Sequence, residues 1–286
     1  MNIGLSDASY LEQLRVRPGT RVKLADIDPS FKDRQQSQEA AADEIEHYRK
    51  RLSDLQEMLY VERRRSLLIC LQGLDAAGKD GTIKHFLSAM NPQGCTVTQF
   101  RQPSAAEAAH DFLWRVHRAT PARGEVAIFN RSHYEDVLVV RVHDLVPKSV
   151  WSLRYERINA FEQELVDHDT QILKFFLHIS SEEQLARFKA RLEDPTKQWK
   201  ISESDYEERR LWGDYMTAYE EALSRCSTQR APWFVIPSNH KWFRNLAVAR
   251  IVVEHLESLK LSYPKPSVDL ERIRREYQAA KRAAGS

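Results

Sequence analysis

The chain has 286 residues, 42% of them hydrophobic, which suffices for one large α/β domain or two small ones and excludes a disordered or fibrous chain. Its 43 basic and 41 acidic side chains nearly cancel, so no bulk charge is available to hold a nucleic acid, and a polyanion would have to be met locally. No run approaches the roughly 18 consecutive apolar residues of a membrane helix, and polar residues interrupt Met1 to Arg15 throughout, where a signal peptide would need an apolar centre. The expected protein is therefore cytoplasmic, with neither a membrane nor a nucleic acid as partner. Cys70, Cys95 and Cys226 are odd in number and widely spaced, which argues against a disulfide framework or a zinc site and for structural thiols.

Along the chain, Arg15-Val-Arg-Pro-Gly-Thr-Arg21 and Asp28-Pro29-Ser30 read as an irregular arm. No glycine or proline then occurs until Gly73, and Ala41, Ile45, Tyr48, Leu52, Leu55 and Leu59 recur at helical spacing, which predicts a long amphipathic helix. Its stripe suits packing on its own domain. A heptad-like seam also pairs subunits, and a homo-oligomer, dimer or tetramer, is expected. From Ser66 onward short apolar runs alternate with amphipathic segments, as in a parallel sheet wrapped by helices. Strands are predicted over Leu67 to Leu71, Cys95 to Phe100, Val126 to Phe129, Ile172 to Ile179 and Trp233 to Ile236. Helix starts are marked by three capping boxes, Ser104 with Glu107, Ser180 with Glu183 and Ser204 with Glu207. The division expected is an arm and long helix over 1–64, an α/β core over 65–260, and a charged, peripheral tail over 261–286.

Three of the nine glycines, Gly73, Gly78 and Gly81, fall within one short stretch. Gly73-Leu-Asp-Ala-Ala-Gly-Lys79-Asp-Gly-Thr82 satisfies G-x-x-x-x-G-K, follows an all-apolar strand and precedes a helical segment, which is the strand-loop-helix context of a phosphate-binding P-loop. In such a loop the backbone N–H groups of Gly73, Ala76, Ala77, Gly78, Asp80, Gly81 and Thr82 are candidates to line a phosphate, helped by the positive end of the helix, while Lys79 supplies a point charge. Asp80 stands where a P-loop normally carries the serine or threonine that holds Mg²⁺, so a carboxylate must take over. Asp75, inside the loop, is the first candidate.

The third strand runs directly into Asn130-Arg-Ser-His-Tyr-Glu-Asp136. Ligands of open α/β sheets bind at the carboxyl ends of strands, so this segment should face the glycine loop. Arg131 is a natural planar clamp for phosphoryl oxygens, and Asp136 is a second candidate for metal; a structural ion pair between those two is the competing reading. His133 and Tyr134 read as hydrogen-bonding or packing residues, since transfer between phosphates requires no proton abstraction.

These two segments together resemble polyphosphate kinase family 2. The similarity continues through Phe112-Leu-Trp-Arg-Val-His117, Leu173-Lys-Phe-Phe-Leu-His-Ile179, Arg210-Leu-Trp212, Ala231-Pro-Trp233 and Asn239-His-Lys-Trp-Phe-Arg-Asn245, over roughly residues 20 to 265. The resemblance implies a thymidylate-kinase-like P-loop kinase fold, with a five-stranded parallel sheet, helices on both faces and a helical lid. It also implies Mg²⁺-dependent, reversible phosphoryl transfer between inorganic polyphosphate and adenine nucleotides. The His-Tyr-Glu-Asp variant resembles the class-III branch, which accepts both AMP and ADP. Carried over by position, Asp75 and Lys79 are the Walker-A pair, Arg131 the Walker-B arginine and Asp136 the second metal-holding aspartate.

The implied lid lies at about 187–205, where Arg187, Lys189, Arg191, Lys197 and Lys200 stand among Glu193, Asp194, Glu203 and Asp205. A solvated, salt-bridged face accounts for most of these charges, and the resemblance assigns the catalytic contact to Arg191. Trp199, Trp212 and Trp242 are candidates to stack on a base, against the commoner fate of burial. Two other functions fit the same motifs: a nucleoside monophosphate kinase with ATP as donor, and a non-catalytic P-loop module that binds a nucleotide.

Overall fold

A computed structural model describes residues 9–33 and 37–284, so the first eight residues of the polar N-terminus lie outside it. Five parallel strands, β1 (Ser66–Gln72), β2 (Cys95–Gln99), β3 (Val126–Asn130), β4 (Thr170–His178) and β5 (Trp233–Pro237), lie in the order β2-β3-β1-β4-β5. β1 is central, with Leu71 opposite Asn130 of β3 and Gln72 opposite Phe176 of β4. Every residue of β1 is buried because helices cover both faces of the sheet, yet its side chains still alternate. Leu67, Ile69 and Leu71 enter one core cluster while Leu68 and Cys70 enter another.

The helices that position the site are α1 (Ala42–Glu62), α2 (Lys79–Leu87), α3 (Lys148–Asp167), α4 (Ser181–Glu193), α5 (Glu203–Arg210), α6 (Trp212–Cys226) and α7 (Lys241–Ser258). α1 packs along α7, and its stripe of Tyr48, Leu52, Leu55 and Leu59 is buried in the chain's own core, each side chain contributing about 1.5–3 kcal/mol. The stripe is thus unavailable as a seam between subunits. The arm is irregular as expected but anchored: Val16 N–H donates to the Trp233 carbonyl (2.8 Å), Val235 N–H to that of Leu14 (3.0 Å), and Val16, Val22 and Leu24 are buried. A last helix, α8 (Leu270–Ala284), carries no buried residue. No helix among the described residues is long and apolar enough to cross a membrane.

Two predicted caps differ from the structure. Ser180 Oγ accepts the Glu183 N–H (3.1 Å), but the Glu183 carboxylate is engaged by Arg187 (2.7 Å), so only half of that box forms. α5 begins one residue before Ser204, and its box is Ser202 with Asp205, the Ser202 N–H donating to Asp205 Oδ2 (2.9 Å); aspartate at the third helical position serves as glutamate would. Cys70 and Cys226 are buried, whereas Cys95 is half-buried.

Candidate active site

The loop between β1 and α2 is tightly wound. Gly73 and Gly78 have φ of 154° and 108°, and Ala76 adopts 62°, a left-handed conformation that costs a non-glycine residue about 1–2 kcal/mol. A Cβ on Gly73 would stand 3.0 Å from the Leu177 carbonyl oxygen of β4, so glycine is required where the loop leaves the sheet. The Lys79 ammonium folds back over the loop, donating to the Gly73 and Leu74 carbonyls (2.6 and 3.2 Å). Burial, and then the Arg131 charge, pull it down to about 8 against the pull of Asp75 and Glu135.

At the end of β3, Arg131 takes a φ of 62° and turns its guanidinium to Asp75 Oδ1 (3.0 Å) and Glu135 Oε2 (3.3 Å). Burial works against its charge, but Glu135 and Asp75 outweigh burial and hold it charged. The preceding Asn130 donates to Asp80 Oδ1 (2.9 Å), tying the end of β3 to the start of α2.

Two cavities open on this loop, and Asp75 and Arg131 are the two residues common to both linings. The larger, of about 500 Å³, is also lined by Ala76, Gly78, Lys79, Asp80 and Gly81 and by Arg191 from α4. Arg191 donates to the Lys200 carbonyl (3.0 Å), and Trp199, 77% exposed, stands at the cavity's edge. The smaller, of about 240 Å³, includes Gly73, Glu135, Arg209, Trp212 and Tyr215 in its lining. Trp242 instead packs partly against the core.

Three expected site residues stand elsewhere. Thr82 is buried and lines neither cavity, its N–H donating to the Gly78 carbonyl (3.0 Å) inside α2 and its hydroxyl lying within hydrogen-bonding distance of the same oxygen (3.2 Å). Ala77 puts its methyl into the core, and its N–H donates to Leu74 (3.1 Å). Asp136 lines neither cavity; Arg154 Nη1 donates to its Oδ1 (2.9 Å) and Arg115 lies at 3.9 Å. Burial outweighs both cations and lifts its carboxyl to about 6. Arg131 and Asp136 therefore form no pair with each other. Arg187, placed within the expected lid, is buried against the Ala76 and Ala77 carbonyls (2.8 and 3.1 Å) and anchors the loop.

Sequence reasoning missed Arg101, which follows β2 as Arg131 follows β3 and lines the larger cavity; the strand-end rule applied to β2 would have found it. It also missed the network beneath the site. Lys174 Nζ of β4 reaches Glu162 Oε2 (2.5 Å), the Tyr134 hydroxyl (2.9 Å) and the Cys226 carbonyl (2.6 Å), while His133 Nε2 meets Glu162 Oε1 (3.1 Å), all four side chains being buried. His133 and Tyr134 thus bond and pack as expected. Burial holds His133 below its ordinary pKa.

The family model for Polyphosphate kinase 2 (PPK2) matches residues 35–264. This chain belongs to the polyphosphate kinase 2 family. It is 48% identical over 264 residues to an AMP/ADP-polyphosphate phosphotransferase of Meiothermus ruber, covering 92% of this chain and 99% of that one. It is 46% identical over 270 residues to an ADP-polyphosphate phosphotransferase of Rhodopseudomonas palustris, covering 89% and 92%. A crystal structure of polyphosphate kinase 2 from Arthrobacter aurescens TC1 superposes with a TM-score of 0.92 at 40% identity, covering 95% of this chain and 97% of that one. As a polyphosphate kinase 2 the chain is a phosphotransferase on a P-loop kinase fold.

Proposed function

We propose that this phosphotransferase moves a phosphoryl group reversibly between inorganic polyphosphate and AMP or ADP, forming ADP or ATP. The observation that carries the reading is the Asp75–Arg131 pair, which stands where two cavities meet. Transfer between two phosphates needs two anion sites that share one point and requires no nucleophilic side chain. Relatives named for AMP and ADP, or for ADP alone, support this pair of acceptors.

In the reaction Lys79 neutralises oxygens of the migrating group, and Arg131 carries charge into both cavities. Arg191 adds a third cation from the lid side. Mg²⁺ fits the donor set, because it takes one or two carboxylates and leaves its remaining positions to phosphate oxygens and water. We assign Asp75, which lines both cavities, to hold it; among the described residues no cluster of three or more acidic, histidine or cysteine side chains forms a closed cage. The ion supplies charge neutralisation on phosphoryl oxygens when bound. We assign Asp136 to orienting Arg154 and Arg115 instead.

The test is purified protein with AMP or ADP and Mg²⁺, given either polyphosphate or ATP as sole donor, with products resolved by ³¹P NMR. Polyphosphate should support both acceptors. Efficient phosphorylation of AMP by ATP without polyphosphate would return the protein to the ordinary nucleotide kinases.

A further inference from the structure

The glycines of the loop leave room for something specific. A Cβ on Gly78 would stand 1.8 Å from Arg244 Nη1, and one on Gly81 would stand 3.0 Å from Arg244 Nη2. The guanidinium, reaching over from the first turn of α7, therefore lies against the backbone at the point where the loop becomes α2. It is 3% exposed. Its Nη1 donates to the Ala77 carbonyl (3.3 Å), and Nε and Nη2 both donate to Asn245 Oδ1 (3.1 and 2.9 Å).

Two consequences follow from ordinary chemistry. In a trans peptide the C=O and N–H point in opposite directions, so pinning the Ala77 carbonyl with Arg187 and Arg244 turns the Gly78 N–H the other way. The next N–H groups, of Lys79 and Asp80, open α2 and have no intrahelical acceptor. The second consequence concerns charge. Arg187 has Glu183 as counter-ion at 2.7 Å. Arg244 has no carboxylate within ion-pair distance among the described residues, and burial and then its neighbour Arg187 pull its pKa down to about 10. A buried cation without a counter-ion is costly, and such groups are ordinarily paired. Here it is held against a backbone segment whose N–H groups await an anion.

We propose that Arg244 is a built-in electrostatic positioning residue of the phosphate loop, and that its missing counter-ion is the polyphosphate donor bound on the opposite side of the loop backbone. The inference rests on the donor reading above and deepens it. Arg244 touches no reacting atom; it sets the loop peptide and supplies charge through it. Anion binding and stability are thereby coupled, because the bound chain relieves a cation that the free protein leaves unbalanced.

The test uses the full chain and inorganic tripolyphosphate without nucleotide, read by titration calorimetry and by the melting shift. Arg244→Met removes the charge, and Asn245→Asp places a carboxylate where Oδ1 already accepts two guanidinium N–H groups. Both variants should melt no lower than the parent without anion, bind tripolyphosphate about ten-fold more weakly, and lose most of the anion-induced rise in melting temperature. Unchanged affinity in Asn245→Asp would overturn the inference and leave Arg244 a structural clamp. Should Arg244→Met fail to fold, Asn245→Asp decides alone. If the parent protein binds no tripolyphosphate, the donor reading itself falls and takes this inference with it.

Discussion

Arg131 Nη2 donates to Asp75 Oδ1 at 3.0 Å, joining the segments that leave two neighbouring parallel strands. Arg131 is the first residue past β3 and Asp75 the third past β1, and the Arg131 N–H donates to the Leu71 carbonyl (3.0 Å) at the end of β1. That bond helps to hold Arg131 in its left-handed conformation, which otherwise costs about 1–2 kcal/mol. The strain aims a guanidinium across two strand ends at the point where the cavities meet.

Lys79→Met should lower kcat/KM by about two orders of magnitude with little change in melting temperature, because the ammonium bonds loop carbonyls and not core. A large melting loss with modest kinetic loss would mark Lys79 as structural. The parent enzyme should also show a pH signature. An amine lowered from 10.5 to about 8 is charged below that pH and loses its proton above it, and the phosphate needs the charged form. kcat/KM for the donor should therefore fall as pH rises through about 8. Bound polyanion raises the pKa, so kcat should hold to higher pH.

Asp75→Asn and Asp136→Asn separate a metal residue from a positioning one. Asp75→Asn should raise the Mg²⁺ concentration for half-maximal activity by about ten-fold or more, whereas Asp136→Asn should lower kcat with that midpoint little changed. A matching shift in both, with a double variant costing less than the sum, would place Asp136 on the same ion.

Glu162→Gln should destabilise the protein by about 3–5 kcal/mol in urea unfolding, since it leaves the buried Lys174 ammonium without its counter-ion. Replacing both residues by apolar ones should recover much of that loss. Burial opposes the Glu162 charge, but Lys174 and His133 outweigh it and hold the carboxyl below its ordinary 4.5. The associated stability is therefore complete above that value and is lost as pH falls through the lowered one, so the parent should lose more stability in acid than the doubly apolar variant. Equal acid sensitivity would remove Glu162 from the account.

Arg191→Gln tests the lid. Longer polyphosphates should be the better donors until the cations around the larger cavity are all engaged, and their apparent affinity should fall more steeply with salt than that of ADP. Arg191 lines the larger cavity while bonded to Lys200, so its loss should reduce turnover and flatten both dependences together. Unchanged chain-length and salt responses would make Arg191 part of the solvated helix surface.

Local pattern carried much of this molecule. The five predicted strands all formed; β1, β3 and β5 are buried along their whole length, as parallel strands covered on both faces require, whereas β2, at the sheet edge, has no buried residue, and the glycine loop with Lys79 was legible because its chemistry lies in consecutive residues. The sequence by itself also marked Asp75 and Arg131, each near a strand end, and predicted that their segments face each other; the bond between the two side chains came from the strand order, which puts β1 beside β3. Tertiary structure decided which charges are buried and what they touch. Arg187 and Arg244 lie in helices α4 and α7, far from the loop in sequence, and nothing in their neighbours distinguishes a buried guanidinium from a solvated one. Asp136 turned to Arg154 and Arg115, and Lys174 found Glu162, through packing of elements distant along the chain. Helical spacing likewise predicted the stripe of α1, while its partner, α7, was settled only by the fold, since any apolar face of matching shape removes the same area from water.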